Sequence, residues 1–129
     1  MPCMAVAENE AYSCAAQLLL WCQYRVAVPF ANFIFHNASY PIKGVDILSD
    51  DVLSVIVENH RAQERALLKQ FTQATGQPLR LARAVYSSET PMIATRALEL
   101  GIVHEITEKS FAIDEDDCGL VLVPETPAK

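Results

Sequence analysis

The chain has 129 residues, of which 51% are hydrophobic and 20% charged, and its formal net charge is −6. This length predicts one globular domain with a conventional core, which we place at residues 1–123, followed by a flexible tail at 124–129. A negative charge without a Lys/Arg cluster excludes a nucleic-acid-binding surface. No apolar run approaches the ~20 residues that a membrane span requires, so no membrane partner is predicted either.

The cysteines indicate the redox compartment. They stand at positions 3, 14, 22 and 118, without a C-x-x-C pair and without the density of a secreted disulfide scaffold. The first residues also lack the basic flank and the length of a signal peptide. We therefore expect reduced thiols and a cytoplasmic protein.

The first third of the chain predicts short strands around one apolar helix. A strand at residues 3–7 and a polar turn at 8–10 precede a helix from Ala11 to Cys22, which places Ser13 in the first helical turn. Strands are predicted at 24–28 and 32–36, followed by a loop at 37–44 that is rich in turn-forming residues. His36 therefore stands at a strand end.

The remainder predicts mainly helices. Ser49 is a good N-cap for a long helix that runs to Ala74, and Gly76 supplies its stop. Shorter helices are predicted at 78–86 and 93–100, then a strand at 102–106 and a terminal hairpin from strands at 111–113 and 120–123. The fold class is accordingly α/β.

Ser13 and His36 are the candidate catalytic residues. A serine hydroxyl becomes a nucleophile when an imidazole takes its proton, and free N–H groups at a helix start favour developing negative charge. The alternative for Ser13 is a cap or a small residue in a tight helix start. Cys14 with His36 is a second alternative, although adjacent helical side chains point about 100° apart. His60 and His104 lack nearby ligands for a metal site, and the acidic run at 114–117 is typical of a solvated turn.

Several segments together resemble the Clp protease proteolytic subunit, ClpP, and its phage-type relatives. They are an Ala-x-Ser-x-Ala-x-x-Leu-Leu stretch at 11–19, Ile-x-His at 34–36, Gly44, Thr-Gly-Gln at 75–77, and Ala-Leu-x-x-Gly-Ile-Val-x-x-Ile at 97–106. The resemblance implies a ClpP/crotonase-like superhelix and a serine-type endopeptidase without a cofactor or metal. It makes Ser13 the nucleophile and His36 the general base.

The same resemblance implies partners. The substrate would be a peptide or an unfolded protein, and an unfoldase would be a candidate partner. The helix from Ser49 to Ala74 would correspond to the family's handle helix, which lies between two stacked rings. Its exposed apolar positions would then form a homo-oligomer contact.

The chain departs from the family pattern at three points. Val85 occupies the position of the triad aspartate, for which Glu89 is the substitute candidate, and Asn9 replaces a glycine before the serine segment. Only twelve residues precede Ser13, so we expect the first strands of the family fold and its glycine-rich oxyanion loop to be lacking. Two alternatives follow: a catalytically inactive ClpP-like assembly subunit, and a crotonase-superfamily acyl-CoA enzyme, which shares the ending at 97–106.

Overall fold

The structure, a computed structural model, describes residues 2–37, 39, 48–108, 110–114 and 119–123, with side chains up to residue 108. Its elements form a small mixed α/β domain. In chain order they are β1 (Met4–Ala7), β2 (Glu10–Tyr12), α1 (Cys14–Leu19), β3 (Tyr24–Ala27), β4 (Asn32–Ile34), α2 (Asp50–Thr75), α3 (Leu79–Ser88), β5 (Met92–Ile93), α4 (Ala94–Leu100), β6 (Glu105–Ile106), β7 (Ser110–Asp114) and β8 (Gly119–Val123).

The strands form two three-stranded sheets and one separate hairpin. The first sheet has the order β1-β3-β6 and is parallel, and the second has the order β2-β4-β5 with β5 antiparallel. β7 and β8 pair antiparallel, which confirms the predicted hairpin at the backbone level. Because β2 and β4 are parallel, the residues after both strands lie at the same edge of their sheet.

Helix α2 begins and ends as its sequence predicts. The Ser49 hydroxyl accepts a hydrogen bond from the Val52 N–H at 3.2 Å, and Gly76 ends the helix with φ 74°. Within the described residues, the buried side chains of α2 are Leu68 and Phe71, both in its second half. None of the helices in the described residues is long and apolar enough to cross a membrane.

The core lies between the second sheet and helices α2, α3 and α4. Its centre is aromatic: Phe35, Phe71 and Tyr86 pack with ring centroids 5.4 to 5.7 Å apart. Phe33, which lies on the central strand β4, is fully buried beside them. Since aromatic rings bury a large apolar area, this cluster fixes α2 and α3 against the sheet that carries the residues before Ser13 and His36.

A buried arginine joins three helix ends. The Arg25 side chain is 3% exposed and donates four hydrogen bonds of 2.6 to 3.0 Å to backbone carbonyls, those of Cys22, Ala74, Gly101 and Ile102. These carbonyls lie after α1, at the end of α2 and after α4. Because helix C-termini carry partial negative charge, one guanidinium satisfies several carbonyls that helices leave unpaired. Burial lowers the pKa of Arg25.

The segment around Ser13 differs from its prediction. The predicted helix from Ala11 begins only at Cys14, because residues 10–12 form β2 and pair with β4. It also ends at Leu19 rather than Cys22. Ser13 therefore precedes the first helical turn. Helix propensity favoured the longer helix, but pairing with β4 satisfies the backbone of the first residues instead.

The prediction of reduced thiols is wrong for two cysteines. Cys3 and Cys22 form a disulfide with their Cα atoms 5.0 Å apart. Each residue lies just before one of two parallel strands, and Met4 is opposite Tyr24 in their register, so the pairing of β1 and β3 brings the thiols together. Cys14 is free and exposed. The cytoplasmic location stays a prediction.

The later elements follow the sequence with shifted limits. The predicted helix at 78–86 is α3, and the one at 93–100 is α4, with Gly101 at φ 81° after it. The predicted strand at 102–106 is reduced to its last two residues. The tail at 124–129, most of the loop at 37–44 and most of the acidic run at 114–117 lie outside the described residues. The division into one domain and a tail stays a prediction.

Candidate active site

Ser13 lies at a sharp turn between β2 and α1. Its φ is 58° and its ψ is −117°, a combination outside the regions that residues with a Cβ normally adopt. Its N–H donates to the Ile34 carbonyl at 2.8 Å, which continues the pairing of β2 and β4 past the strand ends. Strained residues of this kind occur preferentially at active sites, and a strained strand-to-helix turn exposes the nucleophile in serine hydrolases.

The Ser13 hydroxyl is not used as a helix cap. Ser13 occupies the N-cap position of α1, yet its side chain makes no capping hydrogen bond. No other hydrogen bond to this hydroxyl occurs within the described part of the chain. The structural role that a serine most often has at a helix start is therefore not observed here. Ser13 as a residue is half-buried.

His36 lies two residues beyond the end of β4. Its Nδ1 is 2.7 Å from the carbonyl oxygen of Asn37. A carbonyl only accepts, so in the neutral ring Nδ1 carries the proton and donates it, and Nε2 retains its lone pair. This is the tautomer that a general base requires, and it is held by a backbone oxygen.

One cavity brings Ser13 and His36 together. It has a volume of about 440 Å³ and is lined by side chains from the second sheet's edge, from α1 and from α2: Ser13, Cys14, Gln17, His36, Ser39, Gln63, Ala66 and Leu67. Among the described residues, no hydrogen bond joins the Ser13 hydroxyl directly to His36. The two residues line the same cavity, and catalytic hydrogen bonds often tighten only when substrate binds.

Neither Val85, at the position of the triad aspartate, nor its substitute candidate Glu89 forms a hydrogen bond or ion pair with His36 among the described residues. Val85 is half-buried and packs against the core. Glu89 is exposed, ends α3 with φ 49°, and has no ion pair or hydrogen bond with His36 within the residues described. The hydrogen-bond partner that the structure gives His36 is the Asn37 carbonyl, which the sequence does not predict because it depends on the path of the backbone.

Cys14 lines the same cavity as Ser13. The expectation that the two side chains point apart assumed that both are helical, whereas Ser13 precedes the helix. Cys14 thus remains the alternative nucleophile. Its backbone N–H and those of the next two residues have no intrahelical acceptor and no capping side chain, so they are free to stabilise an oxyanion.

A polar network beneath the cavity fixes α1. The Tyr86 hydroxyl donates to Oε1 of Gln17, and Nε2 of Gln17 donates to Oε1 of Gln70. Burial raises the pKa of Tyr86 to about 12, against a smaller lowering effect of the Gln17 hydrogen bond. Sequence reasoning missed Gln17, although its position one turn after Ser13 places it on the same side of α1.

The other histidines lie apart from this site. Nδ1 of His104 accepts from the backbone N–H of Arg25 at 3.0 Å, and its ring stacks on Tyr24. Desolvation, together with the charge of Arg25, lowers the pKa of His104. His60 lines a separate cavity on α2. The described residues contain no cluster of three or more His, Cys, Asp or Glu side chains that could hold a metal ion.

No protein-family model matches the chain, and no curated protein matches it at a significant level.

Proposed function

We propose that this protein is a serine-type endopeptidase with a ClpP/crotonase-like fold, in which Ser13 is the nucleophile and His36 the general base. The observation that carries the proposal is the state of Ser13. Its backbone is strained, its hydroxyl makes no cap, and it shares a cavity with an imidazole whose Nε2 is unprotonated in the neutral tautomer. A purely structural serine at a helix start has no need of this arrangement.

The proposed reaction follows from these groups. Nε2 of His36 takes the proton of the Ser13 hydroxyl while Oγ attacks the carbonyl carbon of a peptide bond, and the oxyanion forms near the free N–H groups of Cys14 and Ala15. His36 then gives the proton to the leaving amine, which departs and leaves an acyl-serine ester. Water, activated by His36, hydrolyses this ester and regenerates the hydroxyl. The Asn37 carbonyl holds Nδ1 throughout.

A second proposed function is that of an inactive assembly subunit. It is supported by the lack of a carboxylate partner for His36 among the described residues, and by the apolar residues exposed on and just before the first half of α2. These are Leu48, Val52, Leu53, Val55 and Val57, with exposed fractions of 37 to 60%. A cavity of about 470 Å³ lies on the same half of the helix. An apolar surface of this kind is typical of a protein contact, here a homo-oligomer.

Hydrolysis of short fluorogenic peptides tests the enzyme proposal. We expect wild-type turnover that disappears in Ser13→Ala and falls by about a hundredfold or more in His36→Ala, because a general base contributes at least that factor. Ser87→Ala is the matched control, since Ser87 is exposed on α3 and outside the cavity. Turnover that survives in Ser13→Ala would reject the role of Ser13.

The assembly surface is tested by light scattering coupled to size exclusion. We expect wild-type protein to elute as an oligomer and Val55→Glu to shift toward the monomer, because Val55 is 60% exposed and a charge there disfavours an apolar contact. Ser87→Glu changes the net charge equally on α3 and should leave the mass unchanged. A monomeric wild type would remove the support for the assembly function.

A further inference from the structure

The cavity at Ser13 continues into a second one along the same two helices. The second cavity has a volume of about 580 Å³ and is lined by Gln17, Leu20, Trp21, Ala66, Leu67, Lys69, Gln70, Gln73 and Ala74. Three of these residues, Gln17, Ala66 and Leu67, also line the cavity at Ser13. The two cavities therefore form one groove between α1 and α2, which we call the α1–α2 groove, with Ser13 at one end and Trp21 at the other.

The length of the groove suits a short extended peptide. Ser13 and Trp21 are eight positions apart along α1 and its following turn, which corresponds to roughly 12 Å at the rise of a helix. An extended peptide advances about 3.3 Å per residue. A segment of about three to four residues therefore reaches from the bond near Ser13 to the far end of the groove.

The groove walls carry groups that match a peptide backbone. Gln17, Gln63, Gln70 and Gln73 line it, and a side-chain amide offers the same donor and acceptor as a peptide unit. Nε2 of Gln70 is buried and has no hydrogen-bond partner in the residues that the structure describes. If the Gln70 amide is turned by 180°, its oxygen takes this buried position, and the oxygen then lacks a hydrogen-bond partner there. This atom is buried, so the amides that a peptide in the groove would meet are those of the exposed Gln63 and Gln73.

The far end of the groove combines an aromatic ring and a positive charge. Trp21 is 70% exposed, which leaves a large apolar ring facing solvent. Lys69 is exposed and forms no ion pair with any described residue, in a chain whose net charge is −6. An aromatic ring beside an unpaired ammonium favours an apolar side chain next to a carboxylate.

We propose that the α1–α2 groove binds the substrate peptide and selects a bulky apolar residue beside a carboxylate, three to four residues from the cleaved bond. The ring of Trp21 packs on the apolar side chain, and Lys69 pairs with the carboxylate. The proposal rests on the proposed peptidase function for the position of the cleaved bond, but the binding itself does not require Ser13.

The fluorescence of Trp21 reports on this groove directly, because it is the only tryptophan in the chain. The probes are blocked eight-residue peptides of Ala and Gly with one Phe and, next to it, Asp, Asn or Lys. A further peptide has a free C-terminal carboxylate instead of Asp. Comparing it with the Asp peptide shows whether the groove prefers a side-chain carboxylate or the carboxylate of a chain end. Ser13→Ala protein is used beside wild type so that cleavage does not remove the probe.

We expect the Asp peptide to shift Trp21 emission to shorter wavelength and to bind about two- to fivefold more tightly than the Lys peptide, as an exposed ion pair allows. In Lys69→Met the two peptides should bind equally. Arg80→Met removes one positive charge from α3, outside the groove, and should retain the difference. Replacing Phe by Ala in the peptide should abolish the emission shift.

The proposal is overturned if no peptide changes Trp21 emission up to millimolar concentration, or if the Asp preference survives in Lys69→Met. Hydrolysis that depends on Ser13 but shows no preference for Phe and Asp would reject the groove and leave the catalytic role standing. Conversely, Lys69-dependent binding by a protein that hydrolyses no peptide would support the groove and reject the catalytic role.

Discussion

The backbone at Ser13 carries strain that a serine side chain does not relieve. Its φ of 58° with a ψ of −117° suits glycine, and residues held in such regions cost about 1–3 kcal/mol. The surrounding structure imposes this geometry through the hydrogen bond from Ser13 N–H to the Ile34 carbonyl. A catalytic role would explain why a residue other than glycine occupies the turn.

This strain predicts an order of stability for two variants. We expect Ser13→Gly to be more stable than Ser13→Ala by about 1 kcal/mol, because relief of strain exceeds the entropy that glycine adds to the unfolded chain. Ser13→Ala should unfold within about 0.5 kcal/mol of wild type, since the hydroxyl makes no cap. Urea denaturation measures both differences. If Ser13→Gly is the less stable variant, the turn is not strained.

The family resemblance predicts Ser13 and His36 as a pair, but the residue pattern places residues 11–12 in a helix and predicts neither the strand before Ser13 nor the state of the two side chains. Both follow strands, and parallel pairing of those strands brings their ends to one edge. The turn geometry of Ser13 and the hydrogen bond from His36 to its neighbour's carbonyl depend on backbone angles that no residue pattern specifies. The partner observed for His36 is a backbone carbonyl, a group that every residue possesses and that no residue pattern marks.

Helices α2 and α4 end where a glycine adopts a left-handed conformation, and these two ends differ in their surroundings. Gly76 and Gly101 have φ values of 74° and 81°. A Cβ on Gly76 would meet nothing within 4 Å, whereas one on Gly101 would lie 2.9 Å from the backbone oxygen of Thr75. Gly101 therefore serves both as a helix stop and as the point where the chain after α4 touches the end of α2.

The different surroundings of Gly76 and Gly101 predict that substitution by Ala lowers the free energy of unfolding by different amounts at the two positions. Gly76→Ala should lower the free energy of unfolding by about 1 kcal/mol, the cost of a left-handed residue with a Cβ. Gly101→Ala should lower it by about 2–4 kcal/mol, because the close contact with Thr75 adds the cost of overpacking. Thermal and urea unfolding compare the two variants. Equal losses would mean that the chain at Gly101 moves away from α2 freely.

Long elements were predicted well and short ones poorly, for a physical reason. Helix α2 contains its own start and stop signals at Ser49 and Gly76, so its limits follow from local sequence. Strand β2 has three residues and exists because β4 lies beside it. A segment that short gains too little free energy from local preference to fix its own conformation. Residues 11–12, for which the sequence predicts a helix, therefore pair with β4 as a strand.

In the molecule as a whole, the disulfide and Arg25 hold the first sheet to the helices. The Cys3–Cys22 bond ties the start of β1 to the chain before β3, and Arg25 on β3 binds the ends of α2 and α4. The α/β class followed from the sequence, since helical and strand patterns alternate. The disulfide did not, because its two cysteines are 19 residues apart and become neighbours only through strand register.

The disulfide should contribute measurably to stability. Closing a loop of this length stabilises a folded chain by about 3 kcal/mol in the chain-entropy account, so Cys3→Ser with Cys22→Ser should lose about that amount. Adding a reductant should destabilise the wild type toward the double variant and leave the variant unchanged. Urea denaturation with and without dithiothreitol checks this. A wild type that is indifferent to reductant would show that the bond does not form.

The central claim, that Ser13 is an activated nucleophile, is tested most directly by mapping the adduct of a fluorophosphonate probe by mass spectrometry. Trypsin releases residues 1–25 as one peptide that contains Ser13, Cys14 and Tyr12, and fragmentation locates the adduct. We predict one adduct per chain on Ser13, absent in Ser13→Ala and formed about a hundredfold or more slowly in His36→Ala. A folded wild type without an adduct, or an adduct on Cys14 or Tyr12, would contradict the claim.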